Sequence, residues 1–276
     1  MVARTEATST TLAATHHGPH VPHGTDGTDG TDGTDGVVLL HGFAQTGACL
    51  GPLADDLARD HRVLLPDLAG HGGSARHATA DLVEAADLVA ASLVAALPGP
   101  VTVVGYSMGA RLALHLALAR PELVGALVLI GGTAGIDDDA ERAERAATDA
   151  ALADHVEDVG VVTFLAEWLA QPLFEGLPAW ARFDAERRTN TAAGLADSLR
   201  HAGTGTMTPL WDRLVAIEVP VLCLAGGQDT RFAALAGRLV AAIGPNATAG
   251  LVPGAGHAAH LERPEDVIVE VRALLG

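Results

Sequence analysis

The stretch Val101-Thr102-Val103-Val104-Gly105-Tyr106-Ser107-Met108-Gly109-Ala110-Arg111 decides the fold class of this chain. Its first four residues predict a short buried strand, and residues 110–120 have the apolar spacing of a helix. The pattern Gly-x-Ser-x-Gly lies directly between them. A strand that turns at once into a helix needs glycine at both flanking positions and leaves the serine exposed at the helix N-terminus. We therefore predict that Ser107 is the reactive residue of a nucleophile elbow.

Short apolar runs alternate with helical patterns from Val37 onward, and this alternation predicts an α/β fold. The strands are apolar throughout, so we expect a mostly parallel sheet with helices on both faces. The predicted strands are 37–40, 62–65, 101–104, 126–130, 219–225 and 249–252. Residues 81–97 and 110–120 are predicted helices, and a last helix starts at Pro264.

Two segments do not follow this alternation. Residues 1–36 include four copies of Gly-Thr-Asp and little that is apolar, so we predict a disordered tail. Residues 37–276 then form one domain. No strand pattern occurs within residues 133–217, which read as helical. An insertion at the C-terminal ends of the strands, before the strand at 219–225, predicts a helical lid above the sheet.

Composition limits the partners of the protein. The 276 residues include 34 acids against 17 arginines and no lysine, which gives a formal charge of -17. That charge argues against nucleic acid and against an anionic membrane surface as partners. We find no run of about 20 apolar residues and no apolar segment of a signal peptide. Cys49 and Cys223 have no pairing or metal-ligand spacing, so we expect buried thiols in a cytoplasmic protein, whose oligomeric state stays open.

Partners for Ser107 follow in the order that an elbow predicts, an acid and then a histidine. A serine needs a base, and an imidazole base needs a carboxylate that fixes its tautomer. Asp229 follows the strand at 219–225, and His257 follows the strand at 249–252. We predict that these two residues complete a Ser-His-Asp triad. His260 is a competing base, which we place on the following turn.

An oxyanion hole is predicted after the first strand, at His41-Gly42-Phe43. The backbone N–H groups of Phe43 and Met108 would face one point and stabilise negative charge on a substrate oxygen. His41 precedes the glycine, so we expect it to support this loop and not to act as a base.

These features resemble the α/β-hydrolase superfamily over residues 37–272. Within it, the chain resembles the 2-succinyl-6-hydroxy-2,4-cyclohexadiene-1-carboxylate (SHCHC) synthases of menaquinone biosynthesis. The most discriminating similarities are Trp-Leu-Ala-Gln-Pro-Leu-Phe at 168–174 and Arg111 after the elbow. Further similar stretches are 40–47, 105–111, 141–145, 194–200, 203–205, 229–232 and 253–257. Family members carry early strands before the His-Gly strand, and the sequence leaves open whether this chain has them.

The resemblance implies a lyase that eliminates pyruvate from 2-succinyl-5-enolpyruvyl-6-hydroxy-3-cyclohexene-1-carboxylate. Ser107, deprotonated through His257 and Asp229, would abstract a proton, and no acyl-enzyme would form. The substrate is a small polycarboxylate, and neither a metal nor an organic cofactor is implied. The alternative is a serine-type hydrolase of carboxylic esters or carbon–carbon bonds. A non-catalytic ligand receptor on the same fold is a third reading.

Carboxylates on the substrate call for arginine, whose planar fork binds them in bidentate fashion. Arg111 follows Ser107 by one helical turn and so faces the same side. The resemblance implies the following substrate-binding residues: Tyr106, Arg111, Arg145, Trp168 and Arg187. Two positions have an adjacent competitor, Arg142 for Arg145 and Arg188 for Arg187.

Overall fold

A seven-stranded, mostly parallel sheet forms the centre of the protein, in the order β1-β3-β2-β4-β5-β6-β7. The computed structural model describes residues 11–18, 36–79 and 81–276. The strands are β1 Ala14–His17, β2 Gly36–Leu40, β3 Arg62–Pro66, β4 Val101–Tyr106, β5 Val124–Ile130, β6 Val221–Gly226 and β7 Ala247–Val252. Strands β2 to β7 are parallel, and β1 pairs antiparallel with β3. The predicted α/β class is therefore confirmed.

Helices cover both faces of the sheet. The α-helices are α1 Gly51–Leu57, α2 Leu82–Ala96, α3 Met108–Ala119, α4 Asp139–Trp168, α5 Asp184–Arg187, α6 Ala192–Ala202, α7 Thr230–Ile243, α8 Ala259–Glu262 and α9 Pro264–Leu275. Short 3₁₀ helices are Gly47–Leu50, Gly72–Ser74, Pro121–Leu123, Pro172–Phe174, Ala179–Arg182 and Trp211–Ala216. Helices α2, α3 and α7 bury their apolar side chains on one face, and α1, α8 and α9 bury theirs on the other. Both cores are built mainly from alanine, valine and leucine.

The prediction of a disordered tail over residues 1–36 is wrong for residues 11–18. Strand β1 lies there, and its backbone pairs with β3. Leu12 is buried, and its N–H donates to Ser92 Oγ at 2.9 Å. The composition argument failed because an edge strand is stabilised by its neighbour's backbone groups and needs few apolar side chains of its own. One strand thus precedes the His-Gly strand β2, and residues 1–10 and 19–35 lie outside the described part of the chain.

A helical lid connects β5 to β6, as predicted. Residues 131–220 are all described and contain no strand. Helix α4 is interrupted at Gly160, whose φ of 76° and ψ of 164° are not helical. Its two halves pack on α6 through a separate apolar cluster that includes Val156, Phe164 and Leu199. This cluster holds the lid above the C-terminal edge of the sheet.

The turn at Ser107 has the tight geometry that its two glycines predict. Ser107 has a φ of 51°, a value that L-residues rarely adopt. A Cβ at Gly105 would overlap the Gly109 carbonyl, and a Cβ at Gly109 would overlap the Leu40 carbonyl of β2. Helix α3 can therefore start directly against the sheet only because both positions lack a side chain.

Replacing Gly109 by alanine tests this packing. The added methyl group has no space beside Leu40, so we expect Gly109→Ala to lower the free energy of unfolding by about 1–3 kcal/mol. Gly237→Ala is the matched control. Gly237 lies in α7, and a Cβ added there would have no atom within 4 Å apart from the backbone of its own helix. There alanine should raise the free energy by about 0.5–1 kcal/mol. Denaturant unfolding measures both, and equal effects at the two sites would contradict the packing argument.

Candidate active site

Ser107, His257 and Asp229 meet at the C-terminal edge of the sheet. Each follows a parallel strand, β4, β7 and β6 respectively, so the topology brings them together. His257 Nε2 lies 3.2 Å from Ser107 Oγ, and His257 Nδ1 lies 2.9 Å from Asp229 Oδ2. With Nδ1–H donating to the carboxylate, Nε2 is free to accept the serine proton. The three residues that the sequence selects as a triad therefore form one hydrogen-bonded chain.

The Asp229 carboxylate is tied to the backbone as well as to the imidazole. It caps helix α7, where Oδ1 accepts the Phe232 N–H at 3.1 Å. Burial acts to raise the pKa of Asp229, but the hydrogen bonds from His257 and Phe232 outweigh it and leave the pKa below its usual value. An ionised Asp229 keeps the His257 ring in the orientation that faces Ser107.

The loop that carries the Phe43 N–H is fixed by two buried groups. His41 Nε2 accepts the Leu68 N–H at 2.9 Å, so its Nδ1–H donates to the Gly42 carbonyl at 2.8 Å. Gln45 Oε1 accepts the Gly42 N–H at 3.0 Å. Burial lowers the pKa of His41 to about 4, which keeps the ring neutral at neutral pH. His41 thus supports the loop, as the sequence predicts, whereas Gln45 was not foreseen.

A second buried histidine holds the same loop from below. His71 Nε2 accepts the Ala44 N–H at 3.3 Å, and its ring packs edge-on against Phe43 at a centroid distance of 5.8 Å. Within the described residues, the N–H groups of Phe43 and Met108 donate to no acceptor. Both residues line the cavity above Ser107. These two donors are therefore available to a substrate oxygen.

The cavity above the sheet edge has a volume of about 1280 Å³. All the residues predicted for the site line it, namely Phe43, Tyr106, Ser107, Met108, Arg111, Arg145, Trp168, Arg187, Asp229 and His257. Arg142 and Arg188, the two competitors, are absent from its lining. Arg142 instead donates to the Ile136 carbonyl at 2.9 Å. Of each pair, only one arginine therefore lines the cavity, Arg145 in the first pair and Arg187 in the second. Their roles in substrate binding stay predictions.

Two arginines are buried in this cavity without a carboxylate partner. Arg111 is 7% exposed and donates to the Ala202 carbonyl, and Arg187 is 1% exposed and donates to the carbonyls of Ala44 and Arg182. Neither forms an ion pair with any acid in the part of the chain that the structure describes. Burial, with a smaller effect of the Arg145 charge, lowers the pKa of Arg111 to about 10, so it stays protonated. Two fixed positive charges therefore face the cavity.

Arg145 lies farther out and is held by an acid that the sequence analysis missed. Its Nε donates to Asp149 Oδ1 at 2.8 Å, and Asp149 is only 3% exposed. The spacing of four residues on one helix is the signal that could have revealed this pair. Asp149 orients Arg145 along the lining and leaves its remaining N–H groups to a ligand.

Aromatic rings close the cavity on the lid side and beneath His257. Trp168 packs against Phe43 at a centroid distance of 5.2 Å, and its buried Nε1–H has no acceptor among the described residues. Below, the rings of Tyr106 and His260 are 4.1 Å apart. Neither ring nitrogen of His260 has a hydrogen-bond partner in the described part of the chain, and burial lowers the pKa of this histidine to about 3. It is thus a neutral packing residue and does not replace His257.

Two further features were sought among the described residues, a cluster of metal ligands and a membrane-spanning helix. No group of three or more histidine, cysteine or acidic side chains is arranged there to hold a metal ion. No helix among the same residues has the length and apolar character to cross a membrane.

Comparisons with known proteins agree with this geometry. A profile of the alpha/beta hydrolase family matches residues 37–271. A Bacillus subtilis (strain 168) protein, provisionally named 2-succinyl-6-hydroxy-2,4-cyclohexadiene-1-carboxylate synthase, is 36% identical over 83% of this chain and 85% of its own length. The Salmonella newport (strain SL254) protein of that name is 31% identical over 87% of this chain and 93% of its own. The solved structure of MenH from S. aureus matches with a TM-score of 0.84 at 28% identity, covering 95% of this chain and 97% of that one.

The low pKa of His260 predicts a measurable effect of pH on stability. Below pH 6.5 the unfolded state binds a proton at this residue, whereas the folded state does not until about pH 3. The contribution of a neutral His260 to the free energy of unfolding is therefore fully present above pH 6.5 and is lost as the pH falls toward 3. Between pH 6 and pH 4 we expect the free energy of unfolding to decline more steeply in the wild type than in His260→Leu, by about 1.4 kcal/mol per pH unit. The free energy of unfolding would be measured with denaturant at each pH. If it changed with pH equally in the wild type and in His260→Leu, a buried, neutral His260 would be contradicted.

Proposed function

The chain belongs to the alpha/beta hydrolase family, and we propose that it is a lyase of menaquinone biosynthesis. The reaction is elimination of pyruvate from 2-succinyl-5-enolpyruvyl-6-hydroxy-3-cyclohexene-1-carboxylate, which gives 2-succinyl-6-hydroxy-2,4-cyclohexadiene-1-carboxylate. One observation carries the proposal: Arg111 and Arg187 are buried in the cavity that Ser107 also lines, and neither has a carboxylate partner among residues 11–18, 36–79 and 81–276. Buried charge is costly unless it is paired, so these residues call for an anionic ligand. The names of the relatives support the same substrate class.

Proton removal is the first step of the proposed reaction. The Ser107 hydroxyl donates to His257 Nε2 at 3.2 Å, and Asp229 stabilises the imidazolium that forms when the proton moves. The resulting alkoxide abstracts the ring proton beside the succinyl ketone. Because the attacked atom is hydrogen and not carbonyl carbon, no acyl-enzyme forms.

Charge then develops on the succinyl oxygen. The N–H groups of Phe43 and Met108 are free to stabilise that enolate oxygen. Electrons return through the ring double bond, and the carbon–oxygen bond to the enolpyruvyl group breaks. The released enolate takes up one proton to become pyruvate, and the imidazolium of His257 gives up one proton, directly or through water, which restores the triad. The guanidinium groups hold the substrate carboxylates in place while the bonds of the cyclohexene ring rearrange.

A serine-type hydrolase is the second candidate, since the same hydrogen-bonded chain can activate a serine for attack on an ester or a carbon–carbon bond beside a ketone. The lining of the cavity distinguishes the two. A neutral ester gains nothing from two buried guanidinium groups and leaves them unpaired. These two guanidinium groups, and not the lining as a whole, therefore favour the elimination.

The direct test follows both products of elimination. Purified protein would be incubated with freshly generated enolpyruvyl substrate, with p-nitrophenyl acetate in a parallel reaction. We expect one pyruvate and one conjugated diene for each substrate consumed, loss of both in Ser107→Ala, and little ester cleavage. Rapid ester cleavage without pyruvate would select the hydrolase, and silence on both substrates would favour a receptor.

Neutralising Arg111 tests the role of the buried charge. Removing a charged hydrogen-bond donor costs about 1.5–3 kcal/mol of binding free energy. Arg111→Gln should therefore lower kcat/KM for the enolpyruvyl substrate, a tricarboxylate, about 10- to 100-fold. Any residual cleavage of a neutral ester should stay within about threefold. Arg188→Gln is the matched control, because Arg188 is exposed and does not line the cavity. Equal kinetics for both variants on the tricarboxylate would remove Arg111 from the binding site.

A further inference from the structure

Glu262 binds the backbone on both sides of His257. Its Oε2 accepts the Gly256 N–H at 2.7 Å, and its Oε1 accepts the Ala258 N–H at 3.1 Å. The two oxygens of one carboxylate thus accept the N–H groups of the two residues that flank His257. Among the described residues, Glu262 forms no ion pair with any cation, so these backbone donors are its partners there.

The same loop is anchored on its other side by the residues that lead to Asp229. The Gln228 N–H donates to the Ala255 carbonyl at 2.9 Å, and the Gly227 N–H donates to the Val252 carbonyl at 2.8 Å. These bonds hold the residues before His257. Among the described residues, only Glu262 accepts the N–H of Ala258, which is the N-cap of the short helix α8 and has no backbone partner within that helix. The rotation of the His257 backbone therefore depends on the Glu262 carboxylate.

The lid lies close against this carboxylate. A Cβ at Gly176, which follows the lid stretch 168–174, would overlap Glu262 Oε2. A Cβ at Gly256 would lie 3.1 Å from Glu262 Oε1. The carboxylate fits here because neither glycine has a side chain. The lid and the His257 loop lie so close on both sides that Glu262 stays where it binds both N–H groups.

We propose that Glu262 is a positioning residue that sets the orientation of His257 toward Ser107. The imidazole must keep Nδ1 on Asp229 and Nε2 on Ser107 at once, so a small rotation of its backbone breaks one of the two bonds. A displacement of about 1 Å at a reacting group can cost about 100-fold in rate. Charged acceptors make stronger hydrogen bonds than neutral ones, which suits a carboxylate to this task. The proposal holds whichever reaction the triad performs.

The test compares Glu262→Gln with Glu265→Gln, two charge-neutralising changes of equal size. Glu265 is exposed in the first turn of α9, and its carboxylate forms no hydrogen bond or ion pair with the His257 loop among the described residues. Glutamine at 262 keeps one acceptor but turns an NH₂ donor toward a backbone N–H. We expect kcat for the enolpyruvyl substrate to fall at least about tenfold with KM within about twofold. Glu265→Gln should match the wild type.

A spectroscopic readout separates this proposal from the proposed reaction. In protein labelled with ¹⁵N-histidine, the Nδ1 proton of His257 is assigned by its loss in His257→Gln. We expect that resonance to shift or broaden in Glu262→Gln and to stay unchanged in Glu265→Gln. If the wild type produces no pyruvate, the lyase reaction fails and this resonance alone decides the role of Glu262.

Two results would overturn the positioning role. One is an unchanged His257 resonance in a folded Glu262→Gln, and the other is a lowered melting temperature with kcat preserved. Should Glu262→Gln fail to fold, Glu262→Asp keeps the charge and shortens its reach by one methylene. There we expect the same shift of the His257 resonance, and wild-type spectra would refute the proposal.

Discussion

The close contact of helix α3 with strand β2 is the constraint on which the rest of the site depends. Gly109 lies against the Leu40 carbonyl, and this contact lets the helix start immediately after Ser107 with a positive φ. The serine is thereby lifted above the sheet edge, where β6 and β7 deliver Asp229 and His257. Arg111 follows one turn later, so the same contact also places a guanidinium in the cavity. Chemistry and substrate recognition thus share one backbone turn.

Two buried arginines set this cavity apart from the surface of an acidic chain. The chain carries 34 acids and only 17 arginines, so an unpaired arginine has many potential partners. Several arginines nearer the surface pair with these acids, as Arg272 does with Asp56 and Asp60. Arg111 and Arg187 instead bond to carbonyl oxygens, which orient a guanidinium without neutralising it. Two buried charges without an ion pair in the described part of the chain cost stability, and the anionic substrate that we propose would recover that cost on binding.

Local patterns made much of this predictable from sequence. The elbow, the order of the triad and the parallel strands depend on residues that are neighbours along the chain or on a fixed period. Strand β1 was missed because its stability comes from pairing with β3, which no local pattern records. The choice between Arg142 and Arg145 was open because residues three apart share a helix face, and only the packing of α4 on α6 selects one. The two bonds of Glu262 likewise depend on a loop geometry that composition does not encode.

Recognition of carboxylates by buried arginine is the central proposal, and a crystal structure of Ser107→Ala with the diene dicarboxylate product bound would test it. We expect the product carboxylates within hydrogen-bond distance of the Arg111 and Arg187 guanidinium groups. We also expect the succinyl oxygen between the N–H groups of Phe43 and Met108. Carboxylates that point to solvent, with both guanidinium groups still bonded only to protein carbonyls, would contradict it.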